Sequence, residues 1–343
     1  AATASSDGES ATQVFTVELL TQKILSCLDS PSVVAFATFL RSRDAWRHVL
    51  SDEKLWYELV TTHFGAHVPV AAPVPPQLPL DEYSDDEDED EDEDDGEEDD
   101  DGGAALAEGA MANDASDEQS SPADESAPKT PAVTTLQLPV PEFACQSLVH
   151  FVRSNRQRAR FNDAMHIIQG DIGTIMQING HAIDGIAFAT SGYLHNPHMG
   201  AAQVVFTRAG RDLDTHVSEI AVQIDAGEVH VTPGFDAGVQ KLIHCAGPTY
   251  WGGRGIPLLA QTYTNVMLTA VREDLHCLAM TSISTGNLGF PVREAASTGL
   301  RAIQRFIREQ SWDGTIGIVC YEAPVFDAFT QEKQVIMDAF NTV

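Results

Sequence analysis

The chain has 343 residues, 43% of them apolar, and a formal net charge of −31. That length suits about two ordinary domains with a sizeable core. Twenty-four acidic residues and no Lys or Arg fall between Asp81 and Ser126, so the remainder carries only −7 and offers no basic footprint for general nucleic-acid binding. Five scattered cysteines (Cys27, Cys145, Cys245, Cys277, Cys320) form no C-x-x-C pair, which argues against a disulfide framework or a structural zinc site and for reduced thiols in an intracellular protein. No signal peptide and no apolar run near 18 residues appears, so cytoplasmic or nuclear placement and no membrane contact are expected.

Residues 1–13 are small and polar and are expected to be disordered. From Val14 to Gly65 the pattern turns helical. Leu20, Ile24, Leu25 and Leu28 form one stripe, and Asp29-Ser30-Pro31 breaks and restarts the chain with Pro31 in a first turn. Val33, Val34, Ala37 and Leu40 form a second stripe. Trp46, Val49 and Leu50 mark a third, and Asp52-Glu53-Lys54-Leu55-Trp56 opens a fourth. So small a core is near the lower limit for independent stability and invites a partner. The order Leu19-Leu20, Ile24-Leu25, Leu28-Asp29-Ser30-Pro31, Trp46-Arg47, Leu55-Trp56 resembles the F-box. That motif docks on the Skp adaptor of cullin–RING ubiquitin ligases. Phe15-Thr16-Val17-Glu18-Leu19 departs from it, lacking the usual Leu-Pro pair.

Residues 66–141 read as a disordered acidic linker, because low apolar content and self-repulsion cannot offset ordering entropy. Within it, Ser84 followed by Asp85-Asp86-Glu87 resembles an acid-directed casein-kinase site. Residues 142–161 read as a connecting helix with Phe143, Ser147, Leu148 and Phe151 on one face. Arg153, Arg156, Arg158 and Arg160 are expected on its solvated side, with phosphate or the linker as alternative contacts.

From 162 to 343 apolar strand-like runs alternate with helical patterns. Strands are expected at 165–169, 183–189, 241–245, 277–283 and 315–321, and helices near 200–210, over 258–275 and from Pro291 to about Arg308. This alternation indicates an α/β three-layer fold with a mostly parallel sheet, whose ligands sit at the carboxyl ends of the strands. The segment Ser282-Ile283-Ser284-Thr285-Gly286-Asn287-Leu288-Gly289-Phe290-Pro291 then joins a strand to a helix through small residues, which suit either a close-approaching anion or a tight turn with no ligand.

Gly170-Asp171-Ile172, Ile243-His244-Cys245-Ala246-Gly247-Pro248, the Ser282–Pro291 segment and Ile318-Val319-Cys320-Tyr321, in this order, resemble a macrodomain. That resemblance implies a module for ADP-ribose or ADP-ribosylated protein. It would place Asp171 and Ile172 at the adenine, Ser284, Thr285, Gly286, Asn287 and Leu288 on the diphosphate, and Tyr321 against the adenosine. Ser191, Gly200 and Ala201 would complete the ligand-binding set. The other half departs from the family. Phe188-Ala189-Thr190-Ser191 stands where active members have Asn-Ala-Ala-Asn, and Asn196-Pro197-His198-Met199-Gly200-Ala201-Ala202 stands for their Gly-Gly-Gly-Val loop. The hydrolase-type asparagine and aspartate are replaced by Ser191 and Ala202, so binding without catalysis is expected, with no catalytic residue, metal or cofactor. His195 and His198 leave a phosphatase- or hydrolase-like alternative, and a degenerate interaction platform is the other. His244 reads as structural. Joined to the F-box-like residues 14–65, the reader would act as substrate receptor of a Skp–cullin–F-box ligase.

Overall fold

The computed structural model describes residues 18–40, 47–66, 145–195, 198–310 and 312–342, with side chains from residue 21 onward in the first stretch. The linker readings, Ser84, Trp46, Phe143 and the Asn196-Pro197 pair lie outside these residues.

The C-terminal half is built on a six-stranded sheet: β1 (Met165–Gln169), β4 (Gly185–Thr190), β5 (Val229–Pro233), β6 (Lys241–Ala246), β7 (Cys277–Thr281) and β8 (Thr315–Cys320). A separate two-stranded hairpin joins β2 (Gln177–Ile178) to β3 (His181–Ala182). The order is β1-β8-β7-β4-β6-β5, parallel throughout except for β5, which runs antiparallel to β6 with Val231 opposite Ile243. Central strands buried on both faces read as continuous apolar runs, which is why Cys277-Leu278-Ala279-Met280 was legible. The alternation of side chains then sorts them into two cores. Leu278, Met280, Ile316 and Ile318 point to one layer of helices. Ile186, Phe188, Leu242 and Ala279 point to the other.

The first layer holds α8 (Ile256–Arg272), α9 (Val292–Glu309) and α10 (Ala323–Asp338), and the second holds α6 (Gly200–Ala209) and α7 (Arg211–Ile220). In α9 the apolar stripe buries Ala296, Leu300, Ile303 and Ile307. Four features were not read from the sequence, among them α7 over Arg211–Ile220. The hairpin strands are two residues each, β5 is an edge strand carrying His230 and Pro233, and α10 has only Val325, Phe329 and Ile336 buried.

The N-terminal helices are α1 (Glu18–Cys27), α2 (Ser30–Leu40), α3 (Arg47–Leu50) and α4 (Glu53–Phe64), with α5 (Gln146–Ala164) leading into β1. Their apolar side chains share one continuous core with the α8–α10 layer. Asp52 caps α4 by accepting from Leu55 N at 3.0 Å. Trp56 is fully buried, donates Nε1–H to Val49 O at 2.7 Å, and meets Phe151 of α5 edge-on at 5.5 Å. Glu53 accepts from Ser147 Oγ at 2.6 Å, at the start of α5, and this bond holds its carboxyl below the usual range.

Arg158 departs from the expected solvated face of α5. Its guanidinium lies over Phe64 at 4.7 Å, donates to His63 O at 3.0 Å, and is bonded to Ser30 Oγ. Arg160 likewise donates to Trp312 O at 2.6 Å. A planar fork with five donors suits such carbonyl clamping, so these two arginines bind the helices to the sheet domain. At the far end Asn341 N donates to Phe64 O at 2.7 Å, and Asn341 Nδ2 donates to the buried Ser154 Oγ at 2.9 Å.

All five thiols are free. Burial raises Cys145 and Cys277 to about 11 and Cys320 to about 12. Among the described residues no helix is long and apolar enough to cross a membrane.

Because Trp56 lies in the shared core, Trp56→Ala is expected to cost about 3–5 kcal/mol and to lower the melting of helices and sheet together in one transition. Thermal unfolding followed by circular dichroism and by tryptophan fluorescence checks this. Two separated transitions would contradict the shared core.

Candidate functional site

Five strands run parallel, so their carboxyl ends open on one edge. In sheet order that edge carries Gly170-Asp171 after β1, Tyr321 after β8, the Ser282–Phe290 loop after β7, Ser191 after β4 and Gly247 after β6. Gly170 N donates to Cys320 O at 3.0 Å, which sets Asp171 and Tyr321 at neighbouring strand ends. From β1 to β4 is three strand spacings, about 14 Å. A ligand touching both ends must be extended.

The centre is the loop after β7. Ile283 N donates to the hydroxyl of Tyr263 at 3.1 Å, and Tyr263 is fully buried in α8, which pushes its ionisation up. Ser284 then adopts φ +66°, the left-handed region, and Phe290 N returns to Ser284 O at 3.1 Å. Gly289 N closes on Gly286 O at 2.9 Å, and Thr285 Oγ1 donates to Ser282 O at 2.9 Å. The N–H groups of Ser284, Thr285, Gly286, Asn287 and Leu288 find no acceptor among the described residues. Ser284 is 3% exposed and its Oγ is buried without a partner. Successive amides without acceptors are an arrangement able to take an anion, and the start of α9 at Val292 adds its dipole. Pro291 lies just before α9 rather than inside its first turn, where sequence had put it.

Gly247 is the floor of this loop. A Cβ there would stand 2.6 Å from Ser284 Oγ and 3.1 Å from Leu288 Cδ1. A larger residue would have to push these side chains of the loop aside.

At the β1 end Asp171 Oδ1 accepts from Gly173 N at 2.8 Å, and Asp171 O accepts from Thr174 N and Ile175 N. Its own turn therefore orients the carboxylate, while Ile172 is buried against the second core. The sequence reading missed the group that fixes this turn. Arg208 of α6 donates to Ile172 O at 3.0 Å, Ile175 O at 2.8 Å and Ala237 O at 2.7 Å. Burial pulls its ionisation down. The available signal was a lone arginine in an otherwise uncharged helix, Gly200–Ala209.

At the β4 end the hydroxyls serve the turn itself. Ser191 Oγ donates to His195 O at 3.3 Å, Thr190 Oγ1 donates to Leu194 O at 3.2 Å, and Leu194 N closes on Ser191 O at 2.9 Å. His195 Nε2 lies 2.8 Å from Asp214 of α7, and its ring meets Phe206 of α6 edge-on at 6.3 Å. That ring belongs to the outer helical layer. Ala202 is 1% exposed in the second core, Ala201 is half-buried, and Gly200 opens α6 at φ +55° in open space. His198 and Met199 are exposed just before it. Among the described residues no group of three or more His, Cys, Asp or Glu side chains is placed to hold a metal.

His244 is fully buried on β6, between Phe188 and Phe206, with Nε2 3.0 Å from Thr232 Oγ1. Thr232 donates onward to Pro233 O at 3.3 Å, so Nε2–H is the donor to Thr232 and Nδ1 is left unpaired. Burial lowers its pKa to about 3.

Comparison with known proteins falls on this same edge. Residues 189–299 match the family model described as Macro domain. The C-terminal half therefore carries a macrodomain α/β fold with a mostly parallel central sheet. The matched stretch runs from the end of β4 into α9, and it includes the Ser284–Leu288 loop. A Staphylococcus aureus protein named Protein-ADP-ribose hydrolase is 28% identical over 195 residues, 52% of this chain and 67% of its own length. An O-acetyl-ADP-ribose deacetylase of Salmonella typhimurium is 28% identical over 166 residues, 46% of this chain and 87% of its own. Among solved structures, an Oceanobacillus iheyensis macrodomain with ADP is 25% identical, covers 52% of this chain and 94% of its own, and superposes with a TM-score of 0.47.

The depressed pKa of His244 fixes the sign of a pH effect on the macrodomain. Between about 3 and the ordinary value of 6.5 the unfolded chain binds a proton that the folded chain refuses, so stability falls as pH drops through that window. From pH 7 to 5 this one group is worth about 2 kcal/mol. Urea unfolding of wild type and His244→Gln at both pH values is expected to show that extra loss only in the wild type. Equal losses would contradict it, since the other lowered histidines (His63, His166, His230) are common to both proteins.

Proposed function

We propose that this chain binds ADP-ribose, or protein carrying it, along the carboxyl edge of its sheet, without hydrolysing it. The observation that carries this reading is the row of five amides without acceptors at Ser284–Leu288, beside Gly247 and on the same carboxyl edge of the sheet as Asp171. An anion of diphosphate size suits the centre, and a ring bearing an amino group suits Asp171. The macrodomain match and the ADP-ribose chemistry in the relatives' names support the same ligand. In this reading Asp171, Ile172 and Tyr321 take the adenosine, Ser284, Thr285, Gly286, Asn287 and Leu288 the diphosphate, and Ser191, Gly200 and Ala201 the distal ribose.

Binding without turnover is favoured by the β4 end. A hydrolytic water needs a positioned base. Ser191 spends its hydroxyl on its own loop and Ala202 is core, so neither supplies that base.

The same proposal joins the reader to a ligase: residues 14–65 would dock the Skp adaptor. Its support is the residue pattern alone. Leu25, Leu55 and Trp56 of that pattern are buried in the shared core, so an adaptor would have to use outward side chains such as Leu28 and Tyr57. Co-purification of the adaptor with the full chain, lost in Tyr57→Asp, is the expected result.

Calorimetry with ADP-ribose tests the reader. Wild type is expected to bind, and Asp171→Ala to bind about ten- to a hundredfold more weakly, as for loss of a hydrogen bond to a charged group. Incubation with ADP-ribosylated protein is expected to release nothing. Heat-stable, folded protein with no binding at high micromolar ligand would overturn the reading.

A further inference from the structure

Three aromatic side chains of the C-terminal half are more than half exposed: Tyr193 at 68%, Trp251 at 69% and Tyr321 at 78%. Each follows the carboxyl end of a parallel strand: β4, β6 and β8 respectively. Trp251 stands out among the described tryptophans, since Trp56 is at 0% and Trp312 at 8%.

The turn that presents Trp251 is held at its base. Trp251, Gly252 and Gly253 have φ of +40°, +62° and +96°, a conformation uncommon for a bulky residue and held only where the surroundings fix it. Here Gly253 N and Gly255 N both donate to Tyr250 O, at 2.9 and 3.2 Å. Tyr250 meets Phe290 edge-on at 5.1 Å. A Cβ on Gly255 would fall 2.0 Å from Thr249 O and 3.1 Å from Phe290. The 247–255 segment is thus bolted to the same loop that carries the unpaired amides, both at Gly247 and at Phe290. Arg254 is exposed in this turn and makes no ion pair among the described residues.

We propose that Trp251 and Arg254 form a second nucleotide subsite, which takes the next adenine–phosphate unit of an ADP-ribose polymer. This rests on the ADP-ribose reading of the central groove. An exposed indole offers a flat face for a base, and a guanidinium three residues on offers a bidentate partner for phosphate. An apolar peptide would leave Arg254 unused, and an acidic peptide would leave Trp251 unused; a nucleotide engages both. The subsite is distinct from the adenosine end. It follows β6, whose end lies four strand spacings, about 19 Å, from the end of β1 that leads into Asp171. A ligand with two bases can occupy both.

The full chain is titrated by calorimetry with ADP-ribose and with a defined two-unit ADP-ribose oligomer. Wild type is expected to bind the oligomer about tenfold more tightly than the monomer, the size of one base–aromatic stack. Trp251→Ala is expected to abolish that difference while leaving monomer affinity within about twofold, and Arg254→Ala to weaken the oligomer and reduce its salt dependence. Quenching of tryptophan fluorescence by the oligomer and not by the monomer would support the same assignment. Equal affinity for the two ligands in wild type overturns the subsite while leaving the central reading intact. So does equal weakening of both ligands in Trp251→Ala, which would place Trp251 in the central groove. Absence of binding by either ligand to the folded protein overturns the central reading and the subsite with it.

Discussion

The hydrogen bond from Ile283 N to the buried hydroxyl of Tyr263 fixes the chain as it leaves the central strand, and the site depends on it. Backbone amides that lose water normally find a partner. The five that follow Ile283 have none among the described residues, and Ser284 Oγ is buried in the same condition. Ser284 is the buried member of this row, where an unpaired donor costs about 1–3 kcal/mol, while Gly286 and Asn287 are exposed and their amides keep water. The loop keeps that conformation because its surroundings over-determine it. Tyr263 holds one end, Phe290 N returns to Ser284 O at the other, and Gly247 lets the loop settle on β6. In the proposed reading an arriving anion finds donors already aimed, and the ordering cost has been met by folding.

Around that centre the two ends differ in what their polar groups do. At the β1 end Arg208 spends its donors on main-chain carbonyls, so that the carboxylate of Asp171 stays oriented and available. At the β4 end the hydroxyls of Thr190 and Ser191 close their own turn, and His195 is turned to the outer helices. In the proposed reading the β1 end serves the ligand, the β4 end serves its own turn, and recognition is thereby separated from chemistry. The helices before the sheet add rigidity from the opposite side, because Trp56, Phe64 and Phe151 complete the core under α9 and α10.

Much of this was legible in the residues, for physical reasons. Strands buried on both faces write themselves as apolar runs, so β1, β6, β7 and β8 lay close to where the pattern put them. The order of segments announced a macrodomain, and the small-residue segment at Ser282–Pro291 announced a loop between β7 and α9. What stayed hidden depends on tertiary partners. The two-residue strands of the hairpin are too short to show a period, and β5 mixes polar and apolar side chains at an edge. Arg158 and Arg160 read as a solvated stripe because sequence cannot show that His63, Ser30 and Trp312 lie beneath them. Arg208 was passed over for the same reason. Trp251 drew no notice until its exposure was visible.

The most direct measurement of the central claim is amide hydrogen exchange at Ser284–Leu288 in the full chain, with ADP-ribose and with adenosine as ligands. If the loop is a diphosphate cradle, ADP-ribose slows exchange at these amides and adenosine, which lacks the diphosphate, leaves them unchanged. Protection by both ligands alike, or by neither while ADP-ribose is bound, would contradict it.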